Sequence, residues 1–159
     1  MPELQLLRPE HAPALLDFER ENRAYFARWV PDRGDAYFAD FAEVHAARLA
    51  EQDTGACLFH VLVDADGAIL GRVNLVDVAD GAAHLGYRIA EHAAGRGLAS
   101  TAVRRVLTLA ADAYGLHTLL AEATVENAGS RAVLSRTGFE CVGETMLEGL
   151  PALRYRRAL

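Results

Sequence analysis

From His84 to Ala113 the chain reads HLGYRIAEHAAGRGLASTAVRRVLTLAADA, and these residues decide the fold. His84 to Ile89 alternates, with Leu85, Tyr87 and Ile89 on one face and His84, Gly86 and Arg88 on the other, the period of a strand. Small residues follow in Ala94-Gly95-Arg96-Gly97-Leu98-Ala99. From Leu98 onward Ala102, Val106, Leu109 and Ala113 recur at helical spacing, flanked by Ala99, Val103, Leu107 and Ala110.

A glycine turn that feeds a helix N-terminus suits phosphate oxygens. The first amides of a helix lack intrahelical partners, and the dipole adds partial positive charge. Glycine lets the backbone come close to the anion. A plain tight turn between strand and helix is the alternative, and the residues alone leave both open. The turn is not a dinucleotide fingerprint, because Ser100 stands where G-x-G-x-x-G needs its last glycine, and it is not a P-loop, which needs a lysine.

Composition narrows the chemistry. A chain of 159 residues with 52% apolar content predicts one domain, 1–159, with a real core. All 16 cationic side chains are arginine. The absence of lysine excludes Schiff-base catalysis and a P-loop cation. A net charge of −6 argues against a nucleic-acid partner and weakly favours a cationic or amine substrate. Cys57 and Cys141 lie far apart without metal spacing and read as buried free thiols of a reducing compartment; no metal site is expected. No basic-then-apolar leader and no membrane-length apolar run is present, so the expected location is cytoplasmic, with no membrane partner.

Outward from the central stretch, the period identifies the other elements. Glu3 to Leu7 is a first strand, and Pro9 opens a helix carrying Leu15, Leu16 and Phe18 to about Arg23. Tyr25, Phe26, Trp29 and Val30 form an aromatic cluster ended by Pro31, read as core or as a substrate-pocket wall. Asp35 reads as the cap of a second helix with Phe38, Phe41, Ala42, His45 and Leu49 on its buried stripe. Strands follow at Cys57–Val63 and Ile69–Val78, joined at Asp64-Ala65-Asp66-Gly67, and Asp80-Gly81 turns into the His84 strand. Gly115 stops the central helix; Leu119–Val125 is a strand, Asn127 to Ser130 opens a short helix ended by Gly138, and Phe139–Met146 and Ala152–Arg157 form a final strand pair. The order β-α-α-β-β-β-α-β-α-β-β predicts an α+β domain around a mixed sheet, with a parallel β-α-β unit from His84 to Val125.

Three segments together carry a family resemblance. Leu85-Gly-Tyr-Arg-Ile89, the turn Ala94 to Ala99, and Asn127-x-x-Ser130 followed by Arg136-Thr-Gly-Phe139 resemble the GCN5-related N-acetyltransferase superfamily. With Asn22 and Trp29 in the first helices, the pattern is similar to the branch of ribosomal-protein N-terminal acetyltransferases, over essentially the whole chain. The resemblance implies a mostly antiparallel sheet of about seven strands, about four helices and a V-shaped cofactor cleft.

It also implies acetyl-CoA as acetyl donor. By resemblance, Tyr87, Arg88 and Ile89 flank the pantetheine arm, and backbone amides of Gly95, Arg96, Gly97, Leu98, Ala99 and Ser100 hold the pyrophosphate. Asn127 reads as a helix N-cap or a pantetheine contact, and Arg131 or Arg136 as a partner of the 3′-phosphate, with Arg131 preferred. Ala94 departs from the Gln or Arg usual there, and Thr101 from a frequent Glu. Many relatives place an acid Tyr seven residues after the Asn; Leu134 stands here, so Ser130 becomes the candidate proton donor, with local backbone capping as its alternative. His84 is the candidate base, Glu148 a second and Glu144 a weaker one, while a water relay needs none of them.

The expected function is acetyl transfer to a primary amine by direct attack, with the N-terminal α-amine of a protein or peptide as preferred acceptor. A small-molecule amine acetyltransferase and a non-catalytic acetyl-CoA-binding module are the alternatives. Monomer and homodimer are both open.

Overall fold

A computed structural model describes residues 2–159. Among them, seven strands form one sheet in the order β1-β2-β3-β4-β5-β7-β6. The strands are β1 (Glu3–Leu6), β2 (Leu58–Val63), β3 (Ile69–Ala79), β4 (Ala82–Ile89), β5 (Thr118–Thr124), β6 (Glu140–Leu147) and β7 (Leu150–Ala158). All neighbours are antiparallel except β4 and β5. This is the mixed α+β architecture expected from the residue pattern.

The described residues carry six α-helices rather than about four. The first helical region divides into α1 (Ala12–Glu21) and α2 (Arg23–Phe26), and the second into α3 (Asp35–Ala39) and α4 (Phe41–Asp53). Asn22 causes the first break. Its φ and ψ of −105° and 8° leave the helical path, while its side-chain amide donates to the Phe18 carbonyl and its Oδ1 accepts from the Glu91 amide. Asp40 makes the second break with φ −105° and ψ 25°. Asp35 is not the cap: Gly34 holds that position, and Asp35 is paired with Arg23.

The helices cover the sheet on two faces. α5 (Leu98–Asp112) buries Ala102, Val103, Val106 and Ala110 against Val73, Leu75, Leu85, Leu119 and Ala121. Leu134, from α6 (Ala128–Arg136), joins this core. On the other face Leu15, Phe18, Phe26 and Phe41 pack on Phe59, Val61 and Ile69. The stripes of α1 and α5 are thus buried on opposite sides, as amphipathic helices flanking one sheet must be. His60 is fully buried in β2. Its Nδ1–H donates to the Val73 carbonyl, and its Nε2 accepts from the Tyr114 hydroxyl at 2.6 Å.

The sheet order adds one feature that the period does not give, and one further expectation changes. The final strand pair is present, but β7 folds back between β5 and β6. The two-residue turn Glu148-Gly149, with φ of 50° and 77°, sends it there, and pairing from Thr118↔Ala158 to Thr124↔Ala152 holds it. Cys57 is buried as expected, but Cys141 is exposed on the edge strand β6. No helix is long and apolar enough to cross a membrane among the described residues.

Candidate active site

β4 and β5 start as neighbours and then part. Parallel pairing covers only Ala82–His84 against Thr118–Leu120. Beyond that point β4 continues against β3 as far as Ile89, and β5 continues against β7 as far as Thr124. The facing edges of the two strands therefore open into a V. A cleft of about 800 Å³ occupies this opening, lined by Gly86, Tyr87, Arg88 and Ile89 of β4, the turn before α5, the start of α6, and Tyr25, Trp29 and Val30.

One end of the cleft is built from uncapped amides. Gly95 and Gly97 have φ of 78° and 75°, which glycine adopts without strain. Gly97 is the N-cap of α5 and supplies no side-chain bond. The first helical bond runs from the Thr101 amide to the Gly97 carbonyl at 3.1 Å, so the amides of Leu98, Ala99 and Ser100 precede the helical ladder. Ser100 is buried, its Oγ has no partner, and it lines the cleft. Unpaired amides at a helix N-terminus suit an anion. The arrangement fits the pyrophosphate of a CoA thioester: free amides, glycines without Cβ atoms and an unpartnered hydroxyl share one wall. Ala94, Gly95, Gly97, Leu98 and Ala99 all line the cleft, whereas Arg96 is exposed and turns back onto the His92 carbonyl.

The opposite edge belongs to α6. Asn127 Oδ1 accepts from the Ser130 amide at 3.1 Å, so Asn127 is the N-cap, and it also lines the cleft. Ser130 Oγ lies 3.0 Å from the Tyr87 hydroxyl, which is also 3.2 Å from the Ser130 carbonyl oxygen. Burial pushes the Tyr87 phenol up, against a smaller lowering by its bond to Ser130, so it stays protonated. Leu134 is 1% exposed and belongs to the core. Arg136 lines the cleft; Arg131 does not.

The structure separates the two candidate bases from this constellation. His84 is half-buried where β4 still pairs with β5, opposite Leu120. Glu148 is exposed in the β6–β7 turn. Neither lines the cleft. Glu144 is exposed on β6.

Three side chains in or near the cleft have roles that only the fold reveals. Asn74, across from Gly86 on β3, places its buried Oδ1 there without a partner. Asn22, prominent in the resemblance, turns out to be a buried tie between α1 and the segment after β4. Glu19 is 1% exposed and meets three guanidinium groups, from Arg33, Arg72 and Arg88. Burial raises its carboxyl pKa, but Arg72, Arg33 and Arg88 together win and hold it below the ordinary range. No sequence spacing links residues 19, 33, 72 and 88.

Comparison with known proteins agrees with this geometry. The family model described as "Acetyltransferase (GNAT) domain" matches residues 3–140. The chain is 27% identical over 154 residues to the putative ribosomal N-acetyltransferase YdaF of Bacillus subtilis, covering 86% of this chain and 76% of that protein. The ribosomal-protein-S5-alanine acetyltransferase of Vibrio fischeri superposes with a TM-score of 0.93 at 21% identity, covering 99% of this chain and 92% of the other. Mycobacterium smegmatis RimJ, solved in complex with CoA-disulfide, superposes with a TM-score of 0.87 at 24% identity, covering 98% and 80%. The splayed strands, the glycine turn before α5 and a family match across most of the sequence converge on one conclusion: this chain is an acetyltransferase of the GNAT family.

Proposed function

We propose that the protein transfers an acetyl group from acetyl-CoA to a primary amine, preferring the N-terminal α-amine of a protein or peptide. The observation that carries the reading is the β4–β5 splay ending at the uncapped N-terminus of α5. Acetyl-CoA supplies an activated acetyl thioester. The chain would hold it through backbone groups of Tyr87, Arg88 and Ile89, the amides of residues 95–100, and Asn127, with Arg136 on the cleft lining and Arg131 outside it.

The remaining roles follow from position. Ser130 Oγ holds a proton at the edge of the splay, and the Tyr87 hydroxyl 3.0 Å away can replenish it. Asn74 Oδ1 can accept an N–H of the incoming amine and orient its lone pair. His84 and Glu148 lie outside the cleft lining, so a proton leaving the amine reaches either of them only through water. A protein acceptor is supported by a relative named as a putative ribosomal N-acetyltransferase and by Tyr25, Trp29 and Val30, which form a wall able to face a peptide.

Calorimetric titration with acetyl-CoA tests the donor, and a panel of N-terminal peptides, amino acids and polyamines tests the acceptor. Saturable binding in the micromolar range, about −8 kcal/mol, followed by peptide acetylation is the expected result. Binding with only slow thioester hydrolysis and no amine-stimulated turnover would leave a non-catalytic acetyl-CoA-binding module. Folded, CoA-free protein that does not bind would overturn the proposal.

A further inference from the structure

The Glu19 cluster holds more positive charge than its own stability requires. One carboxylate serves three arginines. Oε1 accepts from Arg88 Nη1 at 3.0 Å and Arg33 Nε at 3.2 Å, and Oε2 accepts from Arg72 Nη1 at 3.0 Å. A single guanidinium would neutralise Glu19 and fasten α1 to the sheet. The other two leave a local charge of +2 around groups that are largely out of water: Arg72 is 5% exposed, and the side chain of Arg88 21%. Surplus buried charge is costly unless a counter-charge arrives. Arg72 Nε is buried with no partner at all.

The surplus faces the acceptor side. Arg88 and Arg33 line the cleft beside Phe26 and Trp29. Arg72 and Arg88 oppose each other across β3 and β4 and both reach α1, whereas α5 packs on the other face of the sheet. The guanidiniums are therefore on a different face from the helix whose N-terminus forms the phosphate cradle. Neighbouring charges cancel them only in part. Arg23 meets two carboxylates, Asp32 and Asp35, at 2.7 and 2.9 Å, an excess of one negative charge that is spread onto Asp35, 98% exposed to solvent; Arg28 faces Glu91 at 3.9 Å, and Glu126 lines the cleft together with Arg136. Burial, and then Arg33, push the Arg88 guanidinium down from its ordinary value, the response of a cation short of negative partners.

We infer that the acceptor carries a carboxylate close to its reactive amine, and that Arg88 and Arg33, held on Glu19, select it. The inference rests on the peptide-amine reading of the cleft and gives it a substrate class: N-termini with Asp or Glu next to the acetylated residue. Asn74 and Arg72 are two residues apart on β3, a Cα spacing of about 7 Å. That separation lets one extended dipeptide place its amine at Asn74 and its acidic side chain toward Arg88.

The test compares three peptides that differ only at positions two and three, Ala-Asp-Glu, Ala-Gln-Gln and Ala-Arg-Arg, together with free glutamate and spermidine. The enzyme should show kcat/KM for the acidic peptide roughly tenfold to hundredfold above the neutral one, the size of one charge-assisted hydrogen bond. Arg33→Gln should erase that preference through KM, with acetyl-CoA affinity unchanged as the measure of an intact fold and cradle; Arg88→Gln, at a position whose backbone the donor site uses, should erase the preference as well. Equal or better use of the neutral peptide, the basic peptide or spermidine overturns the inference while the amine-transfer reading survives. Weakened acetyl-CoA binding in both variants also overturns it, because the guanidiniums would then serve the donor. Inert peptides with acetylated glutamate would discard the peptide acceptor and uphold carboxylate selection. Binding of acetyl-CoA without turnover of any amine would remove both.

Discussion

The Tyr87 hydroxyl lies 3.0 Å from Ser130 Oγ and joins β4 to α6 where β4 and β5 have parted. Burial keeps the phenol protonated, so the pair holds exchangeable protons beside the cleft. Ser130→Ala should lower kcat by about 10²-fold, the lower range for a positioned acid. Tyr87→Phe should lower kcat by a smaller factor. Acetyl-CoA affinity should be nearly unchanged in both. Steady-state kinetics beside calorimetry reads this out; unchanged kcat in both variants would make the pair a brace between two elements and nothing more.

Gly97 tests the anion cradle. A Cβ there meets nothing within 4 Å, so crowding is not the obstacle; the φ of 75° is. An L-residue held in the left-handed region costs about 1–2 kcal/mol. Gly97→Val should relieve that strain by rotating the turn and misdirecting the amides of Leu98 to Ser100. Acetyl-CoA should then bind roughly tenfold more weakly, equivalent to about 1.4 kcal/mol, and Gly97→Ala should lie between. Wild-type affinity in the valine variant would move the donor site elsewhere.

Glu19→Gln removes the one counter-charge of three guanidiniums. Breaking a buried ion cluster from one side costs about 3–5 kcal/mol, and urea denaturation should show a loss of that order. Arg33→Gln should cost less, because its side chain is 30% exposed and Glu19 keeps Arg72 and Arg88. Equal midpoints for the Glu19 variant and wild type would show that the cluster contributes no net stability.

Stability should fall with acidity in two windows. Burial lowers the His60 pKa in the folded state, so the unfolded chain takes up this proton first. Stability is complete above the ordinary histidine value, about 6.5, and declines as pH drops below it. His11, lowered by burial and then by Arg8, adds to the same window. Glu19 is a depressed carboxylate. Its contribution is complete above the ordinary glutamate value, about 4.3, and is lost as pH falls further. Denaturation midpoints against pH should show both limbs. His60→Gln should flatten the first and Glu19→Gln the second; a profile unchanged by His60→Gln would contradict the assignment.

Local chemistry was legible wherever one element carried its own signal. Alternation from His84 to Ile89, the glycines at 95 and 97 and the apolar stripe from Leu98 define a strand, a turn and a helix, and the structure has each. Asn127 as N-cap was equally legible, because a cap bonds within three residues. Asn22 was not: it breaks a helix by bonding to Glu91, 69 positions away. Cys141 was read as buried because free cysteines usually are, but β6 is the sheet edge.

By itself the sequence determined the seven strands and their order along the chain, the central helix and the glycine turn, because these depend on periodicity and on backbone preferences over a few residues. Tertiary structure decided the path of β7, the exclusion of His84 and Glu148 from the cleft lining, and the meeting of Glu19 with Arg33, Arg72 and Arg88. Net charge is equally silent on position: a chain of −6 places Arg33 and Arg88 on the lining of its cleft. Charge summed over a sequence has no position. The field that an acceptor meets is set by which few side chains the fold brings together and removes from water.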